Sequence, residues 1–542
     1  MRLGAWGGRE PSEASKLQAA GRFESCVRRE GREEDHLRVH KTNAAGLEIR
    51  DLFRSMRRAV LIRSHLNVRP VLAGIWGALI VMALPPCASP GRAETMSSAL
   101  ARAYAGNPDL NQQRAGVRAT DENLPRASAL WRPSANAIGQ FGYNYLDFAS
   151  GGAGFGTAGV SGGGAAGGSR LRAGSDPRTL GLSVTQNLFN GNRTVNGIRQ
   201  AESNIFGARE ILRNTEQGVL QGAATAYMNV LRDTAILDLR KNNIIVLEEQ
   251  LRQTRNRFTV GEVTRTDVAQ AESSLASARS NYFSAQAILQ TSIADYRRVI
   301  GVEPATLEPA RTIESLLPHS LGVAVQLALA EHPEVQAALH AVDVAALQVK
   351  LVEGELYPTL NLVGSVRNDY NLQGFPGQRL LSASIVGQLT VPIYEGGEVY
   401  ARARQAKETL GQARLQADLQ RTSVRAAVVS AWGQLDTARA VIQSSKAAVK
   451  SNEIALDSIR QEAAVGQRTT FDILFQQQQL LNARVVLVSA QRDRVVASYA
   501  VMAAIGRLSA ANLNLSVAEY DPTVHFDQVK DKWIGLRTPD GR

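Results

Sequence analysis

Two kinds of hydrophobic pattern alternate along the chain, and the first is an alternation of apolar and polar side chains with a period of two. It occurs in two pairs of segments, at 135–148 and 178–189 and again at 359–370 and 380–391. Segments of about 10–12 residues with this pattern are typical of tilted strands that cross a bilayer. A soluble β-sandwich gives the same alternation, but these strands are too few to bury a sandwich core. They are also too few to close a barrel, and an open sheet edge is prohibitive in lipid, so we expect several copies of the chain to share one barrel.

The second pattern is helical and fills two long stretches without proline, Arg178 to Glu303 and Ile393 to Asp521. Both are rich in Ala, Gln, Leu, Arg and Ser, which favour or tolerate helix. Glycines divide them at the same intervals of 70 and 40 residues, at Gly191, Gly261 and Gly301 and at Gly396, Gly466 and Gly506. This spacing predicts helices over 192–260, 262–300, 397–465 and 467–505. The longer helices, at about 100 Å, must pack against other long helices as a coiled coil or a tube.

The two halves of the chain resemble each other as copies of one unit. Asn107-Pro108-Asp109-Leu110 matches His332-Pro333-Glu334-Val335 at an offset of 225, whereas Val260-Gly261 matches Val465-Gly466 at an offset of 205. The glycine-rich stretch 151–168 lies where the offset changes and accounts for most of the difference. We therefore predict a first repeat at 94–319, a second at 320–508 and a polar C-terminal tail at 509–542. Each repeat opens with a helix, so that two shorter helices can stack end to end beside the long one.

The N-terminal part of the chain has the pattern of an export signal. The apolar run Val71–Leu84 follows several arginines and precedes Gly91-Arg92-Ala93, which is the order of a secretory signal peptide. Residues 56–93 are expected to be that signal peptide, and 1–55 is an upstream extension that is not translated if Met56 is the start. Cleavage after Ala93 removes both cysteines, so the exported chain has no thiol or disulfide chemistry.

Charge and histidine placement exclude two classes of function. Residues 1–93 carry +7 of the formal net charge of +11, so nucleic acid is not expected as a partner of the exported chain. His319, His332, His340 and His525 form no metal-ligand or catalytic-triad arrangement. We predict no enzyme activity, no catalytic residue, no metal and no cofactor. No apolar run reaches the ~18–20 residues of a membrane-spanning helix, which argues against a polytopic helical membrane protein.

The order and spacing of these motifs resemble the TolC family of outer-membrane efflux and secretion channels, over essentially the whole exported chain. The motifs that carry the resemblance are the duplicated Asn-Pro-Asp-Leu and His-Pro-Glu-Val openings, Pro133 and Pro358 before the strands, Gln186–Gly191, Val391–Gly397 and the two turns Val260–Thr264 and Val465–Thr469. The ending from Asp527 to Asp540, with Trp533 in it, is similar to that of alphaproteobacterial members.

The resemblance implies an α+β membrane protein with a two-fold internal repeat. Three copies would form a homotrimer in which each chain contributes four transmembrane strands to one shared β-barrel in outer-membrane lipid. Long antiparallel helices would continue the barrel as a coiled-coil tunnel in the periplasm. A periplasmic adaptor and an inner-membrane pump, of ABC or RND type, would dock at the tunnel tip. The channel would export substrates passively in a tripartite efflux or type I secretion system.

The resemblance also implies where the gate and the docking sites lie. Arg468 corresponds to the gating arginine and Asp472 to a constriction aspartate, with Thr266 and Asp267 as partners from the first-repeat turn. Phe475 stands where a second acidic residue is expected and Ala463 where a gate tyrosine is expected, so the seal can be partly apolar. The adaptor-docking tips would include Gly261, Thr264, Gly466 and Thr469.

Two alternatives remain open at the level of sequence. Thr264-x-x-Asp267 and Thr469-x-x-Asp472 are also capping boxes, in which the acid serves the helix start rather than a gate. For the whole chain, the alternative function is a periplasmic coiled-coil adaptor or an envelope tether without a pore.

Overall fold

The computed structural model describes residues 94–149, 170–371 and 377–541. The expected upstream extension and signal peptide, and the glycine-rich stretch 151–168, lie outside the described residues. The helices are α1 Met96–Gly106, α2 Pro108–Asp121, α3 Asn123–Ser128, α4 Arg193–Thr259, α5 Arg265–Ile300, α6 Leu321–Glu331, α7 Pro333–Glu353, α8 Glu398–Ala464, α9 Thr470–Ile505 and α10 Pro522–Val529. The strands are β1 Ser134–Phe141, β2 Asn144–Ala149, β3 Arg170–Ser175, β4 Arg178–Asn190, β5 Thr359–Tyr370 and β6 Arg379–Thr390.

Two antiparallel helical hairpins dominate the fold, one formed by α4 with α5 and the other by α8 with α9. The long arms α4 and α8 have 67 residues each, and the short arms α5 and α9 have 36 each. The long arms therefore extend about 100 Å and the short arms about 54 Å. α1, α2 and α3 run along α4, while α7 packs between α4 and α8. Shorter helices thus lie beside the parts of the long arms that α5 and α9 do not cover.

The helix expected at the start of each repeat is broken, because a proline starts a new helix inside it. Asn107 ends α1 and caps α2, its side-chain oxygen accepting a hydrogen bond from the N–H of Asp109 at 2.9 Å. His332 occupies the same place between α6 and α7, where its Nδ1 accepts from the N–H of Glu334 at 3.2 Å. The proline that follows each cap has no N–H to donate and suits the first helical position.

Among the described residues, one segment, Leu321–Leu356, is long and apolar enough to cross a membrane by length and composition alone. It comprises α6, α7 and a short 3₁₀ turn, and α7 packs against other helices of the same chain. A single segment of this kind is weak evidence for a membrane span.

The four-stranded antiparallel sheet has the order β1-β4-β5-β6, and its register separates polar from apolar residues. One row across the sheet contains Asn136, Ser183, Ser365 and Ser384, while the next row, on the opposite face, contains Ala137, Leu182, Val366 and Ala383. Beyond this sheet, β2 and β3 pair as a separate ribbon. The segment predicted as one strand over 135–148 is therefore two strands, interrupted at Gly142 and Tyr143, where the N–H of Gly142 bonds to the carbonyl of Pro177 at 3.1 Å.

The main core lies midway along the helices and includes the segment predicted as a polar C-terminal tail. Tyr227 of α4 is fully buried, and its hydroxyl donates to the carbonyls of Glu94 and Glu308 at 2.8 and 2.7 Å. Leu508 and Ala510 are buried in the same core. The prediction of a tail is thus incomplete: apolar side chains between Ala510 and Tyr520 pack on this core, and α10 contacts α2.

Candidate functional site

The far ends of the two hairpins carry the predicted site residues, and the two turns have the same backbone. Gly261 and Gly466 both have φ near +80°, a conformation that glycine adopts without steric cost. Thr264 and Thr469 then cap α5 and α9. Two exposed valines, Val260 and Val465, precede the glycines, with 76% and 72% of their surfaces accessible.

Both aspartates of the turns form complete capping boxes. Asp472 Oδ2 accepts from the N–H and the hydroxyl of Thr469 at 3.0 and 2.9 Å, and the N–H of Asp472 donates back to Thr469 Oγ1 at 3.3 Å. Asp267 makes the same bonds with Thr264 at 2.9, 2.8 and 3.3 Å. These bonds, with the backbone N–H of Thr469 first, hold the pKa of Asp472 below its ordinary value of 3.8. The capping interpretation is therefore confirmed for both residues, and both carboxylates are partly exposed at the tips.

Arg468 pairs with the end of its own long arm, α8. Its Nε donates to Glu462 Oε2 at 2.7 Å, between side chains that are 50% and 40% exposed. Glu462 raises the pKa of Arg468 through this hydrogen bond. The first tip has a comparable pair of reversed polarity, in which Arg257 on the long arm contacts Glu262 of the turn at 2.8 Å. Exposed pairs of this type contribute little to stability, so Arg468 is free to exchange partners at small cost.

Phe475 lies one turn from Phe471 on α9, and the two rings stack with centroids 6.1 Å apart. About half of each ring is exposed, 53% for Phe475 and 49% for Phe471. Both rings border a groove between α9 and the α4–α5 hairpin, lined on the other side by Asn243, Gln270 and Ser274. Leu474, between the two rings in sequence, is buried against α4 and α5. Sequence reasoning singled out Phe475 but missed Phe471, although the spacing of four residues on a helix indicates a pair.

A second charged group, which sequence reasoning also missed, lies on the polar face of the sheet. Asp369 is only 6% exposed and accepts from the Thr179 hydroxyl at 2.6 Å and from Arg367 Nε at 2.7 Å. The Arg367 side chain remains 55% exposed. The register places these residues on the same face as Ser183 and Ser365.

No cluster of histidine, cysteine, aspartate or glutamate suited to a metal ion occurs among the residues that the structure describes.

Comparison with known proteins assigns this architecture to a family. Residues 99–302 and 324–507 match the family described as outer membrane efflux protein. The chain belongs to that family. It is 41% identical over 449 residues to the outer membrane efflux protein BepC of Brucella suis, which covers 83% of this chain and 93% of BepC. It is 27% identical over 351 residues to the alkaline protease secretion protein AprF of Pseudomonas aeruginosa, covering 62% of this chain and 72% of AprF.

The solved structures show the same fold. The CmeC outer membrane channel of Campylobacter jejuni superposes with a TM-score of 0.66 over 86% of this chain and 98% of CmeC, at 15% identity. The resemblance drawn from the sequence is thus confirmed. The protein is an outer-membrane efflux or secretion channel rather than an enzyme, and the alternative of an adaptor or tether without a pore is wrong.

Proposed function

We propose that three copies of the chain form one channel, in which each contributes its four-stranded sheet to a shared barrel. The sheet carries this proposal, because its two faces differ in polarity and because β1 and β6 each pair with one neighbour only among the described residues. An unpaired strand edge cannot remain open in lipid. Pairing of β6 with β1 of the next copy would satisfy both edges. The polar face, with Arg367 and Asp369, would then line the pore, and the apolar face would meet lipid.

The helical hairpins would extend this pore through the periplasm as a tunnel. Their tips would receive a periplasmic adaptor and an inner-membrane pump of ABC or RND type, which hands over the substrate. We place the gate at Arg468, Asp472 and Phe475 of the second tip with Thr266 and Asp267 of the first. The adaptor would contact the turns at Gly261, Thr264, Gly466 and Thr469. The exposed Val260 and Val465 beside these turns would add an apolar contact to that docking surface.

The native mass of the detergent-extracted protein, corrected for bound detergent, tests the shared barrel. Light scattering should give three chains per particle. A folded monomer would overturn the proposal, since the sheet edges would then remain unpaired. A variant with proline at Ser382, within the edge strand β6, should lose the trimer while its helices remain folded by circular dichroism.

A further inference from the structure

The segment that follows α9 runs from the core to the base of the sheet, and its contacts fix its path. The N–H of Tyr520 donates to the hydroxyl of Tyr104 in α1 at 3.0 Å. In α10, His525 Nδ1 lies 3.0 Å from Asp121 Oδ2 at the end of α2, and the Asp121 carboxylate is fully buried. Each contact lies further along the first repeat toward the sheet. The segment is therefore held along its length by side chains of α1 and α2.

The segment reaches the start of β1. Arg132, two residues before that strand, donates from Nη1 to the carbonyl of Lys532 at 2.7 Å. The same guanidinium lies over the ring of Trp533, 4.6 Å from the ring centroid. One arginine thus binds both the backbone and the aromatic side chain of the segment. Trp533 is positioned where the chain passes from helix into the membrane-spanning sheet.

The large side chains that follow Lys532 are apolar, and the described part of the chain leaves them largely uncovered. The exposed fractions are 66% for Trp533, 91% for Ile534 and 104% for Leu536. Full exposure of two large aliphatic residues to water is unfavourable, since each would gain by burial. The rest of the segment is bonded to its own chain. The exposure of these residues therefore indicates that lipid or a second molecule covers them.

Other residues at the same level of the fold have the same character. Trp131 precedes β1, Tyr357 precedes β5, and Ile393 and Tyr394 follow β6, with exposures of 39%, 57%, 94% and 80%. Aromatic residues at both ends of the strands are typical of barrels at the boundary between lipid and water. Trp533 and Ile534 continue this belt, although they lie far from the strands in sequence.

We propose that residues 533–536 are an interfacial anchor, which inserts Trp533, Ile534 and Leu536 into the periplasmic leaflet of the outer membrane beside β1. The inference rests on the proposed orientation of the sheet in that membrane. The anchor's place at the start of β1, at the level of the exposed Trp131, Tyr357 and Tyr394, selects phospholipid as the occupant. Charge agrees with it: Lys532 donates from Nζ to the carbonyl of Arg537 at 2.6 Å, which closes a turn around the apolar residues and places two basic side chains beside them. Basic side chains next to tryptophan suit lipid phosphates.

Quenching of tryptophan fluorescence by brominated lipid tests the anchor directly. Trp131, Trp432 and Trp533 are the tryptophans after residue 93, so replacing the first two with phenylalanine leaves Trp533 as the probe in the exported protein. The protein is reconstituted into vesicles of phosphatidylethanolamine and phosphatidylglycerol with ordinary or brominated acyl chains. We expect the emission of Trp533 to fall roughly twofold or more with brominated lipid. A protein that retains only Trp432, in the middle of α8, should show little change.

A matched pair of substitutions checks that insertion depends on the apolar residues. Ile534→Asp should reduce the quenching of Trp533, whereas Val524→Asp, at a half-exposed valine of α10 in the same segment, should not.

Quenching by aqueous acrylamide but not by brominated lipid would overturn the anchor, because the segment would then lie in water. Protection from both quenchers would also overturn it and would indicate that a second copy of the chain covers the residues. A channel that is trimeric and conducts while Trp533 is unquenched would refute the anchor alone; lipid quenching in a monomer would refute the shared barrel alone.

Discussion

The aspartate at each tip performs a structural task that can be separated from its charge. Asp472 Oδ2 accepts both hydrogen bonds of the cap from Thr469. An asparagine retains an oxygen that can accept these bonds but has no charge. The substitution to alanine removes cap and charge together and cannot distinguish the two roles.

Asp472→Asn is expected to lower the cation preference of the reconstituted pore without releasing the start of α9, because a ring of three carboxylates would lose its field. Reversal potentials in a salt gradient measure this preference. Since hydrogen bonds from Thr469 hold the pKa of Asp472 below 3.8, the acid stays ionised above that value. The preference of the parent channel should therefore persist down to about pH 4 and weaken only below it. Asp267→Asn, at the equivalent cap, applies the same test to the first tip; unchanged potentials in Asp472→Asn would remove Asp472 from the gate.

Phe475→Ala is expected to enlarge the leak of the closed channel, because an apolar ring that resists wetting would be lost. Phe475→Leu, which keeps an apolar side chain, should leak less than the alanine variant. Small-current recordings on the closed pore measure the difference. Equal leak in Phe475→Ala and the parent would discard the apolar seal.

At the scale of elements, glycines explain why the helical hairpins can be predicted from the sequence. Contacts between side chains that are distant in the sequence cannot be predicted in this way. Gly261 and Gly466 end the long arms in a backbone conformation that other residues rarely adopt, so their spacing marks the helix ends in the sequence. The contacts of Arg468 with Glu462 and of His525 with Asp121 have no comparable local signal. They join residues from both sides of a turn, or positions about 400 residues apart, and only the folded chain brings them together. The C-terminal segment looked like a tail for the same reason, because its apolar residues follow no regular period.

Gly506→Ala should destabilise the contact between the end of α9 and His332, which lies between α6 and α7. Backbone strain and a steric clash both contribute to this loss, and the same substitution at Gly301 separates them. Gly506 and Gly301 both end short arms with φ near +90°. A Cβ at Gly506 would lie 2.7 Å from the Cα of His332, whereas one at Gly301 would meet nothing within 4 Å. Gly301→Ala should therefore cost only the backbone strain, about 1–2 kcal/mol, and Gly506→Ala clearly more.

Thermal unfolding of the two glycine variants, in detergent and at matched protein concentration, measures the difference. Equal losses of stability at the two sites would show that the packing of His332 on Gly506 contributes nothing.

At the scale of the whole molecule, charged side chains lie at both ends of the proposed passage. Asp472 is at the helical tips, and Arg367 is exposed on the polar face of the sheet, where its Nε lies 2.7 Å from the carboxylate of the buried Asp369. The intact pair carries no net charge. Removing Arg367 would leave three uncompensated Asp369 carboxylates in the barrel, which would add to the cation preference that the tips create.

Arg367→Gln is expected to raise the cation preference of the pore by a smaller amount than Asp472→Asn lowers it, because salt screens charges more effectively in a wide pore. Arg379→Gln is the matched control. Arg379 pairs in register with Tyr370, on the opposite face of the sheet from Arg367, so its loss should leave the reversal potential unchanged. A shift of equal size in both variants would contradict the assignment of the polar face to the pore.

The segment after α9 completes the core to which α1 also contributes. This has a consequence for biogenesis. Tyr520 and Tyr104 meet although they are 416 positions apart in the sequence, and closing so large a loop is slow. During secretion across the inner membrane this segment emerges after both hairpins, so the core stays open until nearly the whole chain has crossed. A chain that stops before Leu508 would leave the apolar surface around Tyr104 in water. We expect periplasmic chaperones and proteases to recognise that surface, so that truncated copies are removed before they join an assembly.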